Sequence, residues 1–168
     1  KWQWACVTCT EGINDPVVLL GVLQRMYKLE PSGLSFSSPE FANEMAELTE
    51  DVENAGLNVD LRSGERNLIR NSGQYWKAVR LIPNNAHGRI ELTDLGRKVA
   101  SHEVSQAEFA ALTIQTLTLP NTAIMKGRLC HEWTSRGLFL TPLKLLLQII
   151  YELNTRTGAG YITTTELI

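Results

Sequence analysis

No apolar run in this 168-residue chain approaches the ~18 residues that cross a membrane, which excludes a membrane-spanning helix from the expected architecture. Catalytic signatures are equally scarce. No phosphate-cradling GxxxxGK[ST] loop, HExxH pair or GxSxG elbow occurs. Metal-dependent nucleases of the restriction type need an acid two residues before a Lys, and no Lys here has one. There is no fixed-period repeat and no low-complexity tract. These absences point to a recognition module with no catalytic residues of its own, of a size for one domain or a domain and part of another.

Metal-ligating residues are thin. Cys6-Val-Thr-Cys9 has zinc-like spacing, and Cys130-His131 would complete a set of four. Adjacent ligands suit a tetrahedral site poorly, and no βαβ pattern surrounds the CxxC to suggest redox chemistry. Reduced, half-buried thiols of a cytoplasmic protein are the favoured reading, with no metal site and no cofactor in this chain. His87, His102 and His131 stand in unrelated contexts, and Trp2, Trp4, Trp76 and Trp133 are too scattered for a base-stacking platform.

What the chain does have is a charge asymmetry. Residues 35–60 carry seven acids and no Lys or Arg, whereas 61–98 carry eight bases against three acids. The second segment is therefore +5 inside a chain of net charge −2. Local field governs attraction to phosphate within a Debye length of ~10 Å, so the net charge does not exclude nucleic acid. The competing reading is that the two segments face each other.

Three helix starts share a capping side chain followed by Pro: Asp15-Pro16, Ser38-Pro39 and Thr141-Pro142. Val18, Leu19, Val22, Leu23 and Met26 predict a helix to about Leu29; Phe41, Met45, Leu48 and Val52 predict another, with its acids on the far face and Gly56 as its stop. A helix is expected from about Glu65, either continuous to Leu81 or broken near Gly73, with Trp76 and Val79 toward the core. Asn84, Asn85 and Gly88 suit a hairpin tip, with Arg89–Leu92 as its return strand. Ser105-Gln-Ala-Glu108 is a capping box before Phe109, Leu112 and Ile114. An apolar helix is expected over 142–153, then a loop over 155–160. Thr163–Glu166 forms a further capping box whose helix is cut short. That interruption, and the opening on Lys, suggest a piece of a longer polypeptide.

A helix rich in Arg, Asn and Gln, a short hairpin and a new helix start follow the order of a winged helix-turn-helix. The expected fold is mainly α with a small β wing, plus a helical extension. Residues 1–100 would form the recognition domain with an N-terminal extension, and 101–168 a helical extension with the truncated start of a second such unit. Arg can fork onto guanine and Asn or Gln onto adenine, while Lys holds phosphates. Arg70, Asn71 and Gln74 are thus expected at base edges, and Lys77, Arg80 and Arg89 at phosphates. Arg62 and Arg66 add to the same basic segment.

The strings NLIRNSGQYWKAVRLI, ELTDLGRKVA and EVSQAEFA resemble the winged-helix recognition parts of restriction endonucleases of the FokI and AlwI types and their relatives. The opening WACVTCTEGINDPVVLLGVLQRM is similar to that family's segment leading into a first helix, so the resemblance spans roughly residues 2–119. It implies DNA contact for Arg70, Asn71, Ser72, Gln74, Tyr75 and Lys77. It also implies a separate cleavage domain of the same polypeptide, with Mg²⁺ there. The expected partner is double-stranded DNA, with no membrane and room for a homodimer. The alternatives are a winged-helix protein-interaction module and a transcriptional regulator.

Overall fold

The computed structural model describes residues 16–56, 73, 75–86, 88–163 and 165. Helix α1 (Pro16–Leu29) leads directly into a 3-10 turn, Glu30–Ser32, and then into α2 (Pro39–Asn54). Ser38 accepts the Phe41 N–H at 3.2 Å and Pro39 follows it, so the expected cap-and-Pro device operates here. Gly56, at φ 79°, ends the helix in the conformation that glycine adopts most easily. The apolar stripes of both helices are buried as their spacing predicts: Val18, Val22, Leu23 and Met26 against Phe41, Met45, Leu48 and Val52. Glu44 departs from that pattern. It lies on the buried side of α2, where Arg25 and Lys28 of α1 both meet its carboxylate.

Residues 75–78 are helical and contribute Trp76, the largest fully buried side chain. Leu81, Ile82, Ile90 and Leu92 join the same core. The chain then enters α3 (Asp94–Ala100), which also packs on α1. Thr93 caps α3 by accepting the Gly96 N–H at 3.0 Å. Gly96 matters for a second reason: a Cβ at that position would stand 2.2 Å from the Leu81 carbonyl oxygen.

The expected β wing is not present. Among the described residues no β-strand forms, and only isolated antiparallel bridges occur, Ser35 with Arg89 and Leu119 with Leu140. The first limb of the anticipated hairpin is committed elsewhere. Leu81 and Ile82 give their N–H groups to the Trp76 carbonyl, and Thr93 takes the Leu81 carbonyl. Residues 83–86 close a tight turn through Ala86 N–H to the Pro83 carbonyl. Arg89 therefore pairs across the fold with the loop between α1 and α2, where Ile90 N–H meets the Leu34 carbonyl at 2.9 Å. The architecture is mainly helical, and the sheet half of the winged-helix expectation is corrected.

Beyond α3, α4 (Gln106–Thr116) opens with the predicted capping box, Ser105 and Glu108 bonding reciprocally. A helix that the sequence pattern did not signal follows, α5 (Gly127–Ser135). It builds a small second core from Leu119, Met125 and Cys130 with Trp133 and Leu140 around them. The last helix, α6 (Pro142–Thr157), packs on α4 and runs past the loop expected at 155, stopping at the left-handed Gly158. Thr141 precedes Pro142 but makes no capping bond, unlike Ser38. The helix after Asp15 begins where expected, although Asp15 itself lies outside the described residues, as do Cys6, Cys9 and two residues of the Thr163–Glu166 box, Thr164 and Glu166. Among the described residues, no helix is long and apolar enough to cross a membrane.

Two outcomes follow. Gly96→Ala forces a methyl group into a backbone carbonyl, so it should lower the denaturant midpoint by the equivalent of about 3 kcal/mol. The slope of the unfolding curve should stay unchanged. In α4, the backbone N–H and hydroxyl of Ser105 hold the Glu108 carboxyl below the usual glutamate range. A carboxyl depressed on folding contributes stability above its unfolded pKa and loses that contribution as pH falls through the folded value. Ser105→Ala keeps the backbone donor, so an NMR titration should find the Glu108 pKa raised only part of the way back.

Candidate nucleic-acid interface

Of the ten residues expected to contact DNA, Arg62, Arg66, Arg70, Asn71, Ser72 and Gln74 lie outside the described residues. Tyr75, Lys77, Arg80 and Arg89 are within them. The first three stand on or just after the last helical turn before the 81–92 segment. Tyr75 is half-buried and packs against the main core, so part of its ring serves the fold. Lys77 is half-exposed beside fully buried Trp76, while Arg80 and Arg89 are exposed.

The backbone around Arg80 is unusual. Arg80 N–H bonds the Lys77 carbonyl at 3.1 Å and Leu81 N–H bonds the Trp76 carbonyl at 2.8 Å. This is the pair of reversed bonds that closes a helix through a left-handed residue, and the residue in that position is Arg80, at φ 65°. Glycine fills such positions without a steric penalty, whereas a side chain costs about 1–2 kcal/mol. The conformation is held from the far side as well. The Thr93 hydroxyl donates to the Arg80 carbonyl at 2.6 Å, and Thr93 is also the cap of α3. One residue thus fixes both the end of one helix and the start of the next.

His102 is the other non-glycine residue with positive φ among those described; it follows the end of α3 with its N–H on the Val99 carbonyl, while Val104 N–H takes the Lys98 carbonyl. Its ring nitrogen lies 2.8 Å from the Gln24 amide nitrogen, so its side chain is tied to α1. Arg80 has no such tether among the described residues.

Among the described residues, the acids and bases of the two oppositely charged segments form no ion pair with each other. Arg25 of α1 binds Asp51 at 2.7 Å and stands 3.5 Å from Glu44, so two of the α2 acids are paired from α1. Within the basic segment only Arg97 is committed among the described residues. It forks onto Glu30 through Nε and Nη2, both at 2.9 Å, and reaches Asp94 at 3.1 Å. These contacts push the Arg97 pKa upward, chiefly through the hydrogen bond to Glu30. Lys77, Arg80, Arg89 and Lys98 form no ion pair among the described residues.

A cleft of about 540 Å³ opens between α1, α3 and α4, and its walls, among them Leu19, Leu23, Phe109 and Ile114, include no Asp, Glu, Lys or Arg among the described residues. Among the described residues no group of three or more His, Cys, Asp or Glu is placed to hold a metal ion. Cys130, one of the expected thiols, is buried and unpaired. Comparison with protein-family models, curated proteins and solved structures gives no match.

The cost of the left-handed arginine can be read directly. Arg80→Gly should stabilise the fold by about 1 kcal/mol, net of glycine's greater freedom in the unfolded chain. The midpoint of urea unfolding would report this; a loss of stability would mean that the Arg80 side chain supports the fold.

Proposed function

We propose that this chain is a sequence-specific reader of double-stranded DNA. In this reading it serves a larger cytoplasmic restriction endonuclease whose Mg²⁺-dependent cleavage chemistry resides in another domain. The observation that carries it is Arg80: an exposed arginine, without an ion pair among the described residues, kept in a backbone conformation that glycine would occupy at lower cost. Strain of this kind is retained where the side chain itself is needed. The ion pairs support the same reading, because Arg25 and Lys28 of α1 take up Glu44 and Asp51, while Lys77, Arg80 and Arg89 form no ion pair among the described residues and are available to phosphates.

Base reading is assigned to Arg70, Asn71 and Gln74 on the chemistry of their side chains and on the restriction-enzyme resemblance. Ser72 and Tyr75 are assigned contacts on the resemblance alone, while Arg62 and Arg66 extend the basic segment. The proposal requires no β wing. A helix end followed by a rigid connection to α3 can present cations to a duplex without one.

Selection from a randomised duplex library at two salt concentrations tests this reading. Arg80→Gly should weaken binding to all sequences alike and lower the slope of log K against log salt by about one unit. Arg89→Ala should act similarly, whereas Gln74→Ala should relax the selected motif. Absence of binding at low salt, or an Arg80→Gly protein that binds as the parent does, would reject the proposal.

A further inference from the structure

Helix α6 carries apolar side chains on both flanks of a polar Lys144–Gln148–Glu152 stripe, yet none of its 16 residues is buried. Pro142, Leu143, Leu146, Ile150 and Leu153 are half-exposed and form the side nearest α4. Leu145, Leu147 and Ile149 are exposed by 42%, 48% and 42%, and Tyr151 by 69%. Phe139, just before the helix, is 71% exposed. Most of the large apolar side chains left open among the described residues are gathered between 138 and 161. A gathering of exposed apolar side chains of this kind on a folded surface marks an interaction site.

The order of residues along α6 indicates what covers it. Taking Gln148 as a centre, Lys144 and Glu152 lie four residues to either side, Leu145 and Tyr151 three, and Leu147 and Ile149 one. Lys144, Gln148 and Tyr151 share a stripe at i, i+4 and i+7, with Glu152 next to it. The same stripe, together with Ile114 of α4 and Leu147, lines a shallow groove on that side of the helix. Lys144 has no ion pair among the described residues, and Glu152 meets only Arg156 of its own helix among them, at 3.2 Å.

The geometry points to a second copy of this chain as the occupant. The two α6 helices would pack antiparallel about a two-fold axis through Gln148. Such an axis sets Lys144 against Glu152 of the second copy, twice over, and Leu145 against its Tyr151. Parallel packing would instead place Lys144 beside Lys144. An isologous interface requires a surface complementary to itself, and a lysine and a glutamate equidistant from one central residue supply that complementarity. With the axis at Gln148 the two helices overlap over residues 142–154, about 20 Å at 1.5 Å per residue. This assignment concerns α6 alone and does not depend on the DNA reading.

Sedimentation velocity of the full chain over a range of concentrations tests it by charge exchange. The parent chain should dimerise. Lys144→Glu sets carboxylates against each other across the axis and should weaken dimerisation about tenfold or more. Adding Glu152→Lys should restore much of the loss. Gln148→Cys provides a second readout, because a cysteine on the axis meets its own copy and should give an oxidised dimer absent from the parent. A parent that stays monomeric, single and double variants that dimerise equally, or a Gln148→Cys protein that forms no cross-link would overturn the assignment.

Discussion

The Glu30 carboxylate holds the two ends of the main core together. It lies in the turn that follows α1 and is largely shielded from solvent. Its oxygens accept the Leu92 N–H at 2.7 Å and both arms of the Arg97 fork at 2.9 Å. A carboxylate withdrawn from water is costly unless its lone pairs are filled, and these three donors fill them. The segment between Ile90 and Arg97 is thereby fixed against the end of α1, and Thr93 is brought to the place where it can take the carbonyls of Arg80 and Leu81. Gly96 completes the junction by letting the Leu81 carbonyl approach the α3 backbone. The left-handed turn at Arg80 therefore rests on contacts more than sixty residues apart in sequence.

The same junction sorts the cations into two groups. Arg25 and Lys28 serve the acids of α2, and Arg97 serves Glu30. Each makes the fold electrically self-consistent and has little left for a ligand. Of the cations that form no ion pair among the described residues, Lys77, Arg80 and Arg89 fall around the helix end and the bridge to Ser35. A net charge of −2 describes the whole chain, but an approaching polyanion meets the field of the nearest unpaired groups, because salt screens the rest within ~10 Å. A recognition role thus needs no overall positive charge, only cations left unpaired at the surface that a polyanion approaches.

Features set by neighbouring residues were legible in the sequence. The stripes of α1 and α2, the Ser38 cap, the Gly56 stop and the Ser105–Glu108 box each depend on residues within a few positions, so pattern and outcome agree. The wing failed because its turn residues, Asn84, Asn85 and Gly88, are compatible with several backbone paths. The deciding bonds came from Trp76, Leu34 and Thr93, which local pattern does not reveal. Helix α5 was missed for a related reason: its start at Lys126 has no side-chain cap, and its apolar positions Leu129, Cys130 and Trp133 span barely more than one turn. At the site, composition identified the basic segment but could not tell Arg97, which is spent on Glu30, from Arg80, which is not. Nothing in the sequence marked Arg80 as left-handed, because the usual marker is a glycine.

Two features of the chain cost stability with no return inside the described fold. One is a side chain where glycine belongs, and the other is a helix whose apolar surface faces water. Selection for folding alone would remove both, since Arg80→Gly and polar residues on α6 are each a single substitution away. Local rules are broken in this way where a side chain answers to something outside the fold. The two breaches lie in different elements and differ in chemistry, a cation in one and an apolar face with paired charges in the other. A polyanion satisfies the first and a self-complementary protein surface the second, so one occupant cannot account for both. The proposed DNA contact at the Arg80 turn and the proposed self-association through α6 would account for each cost by a separate contact.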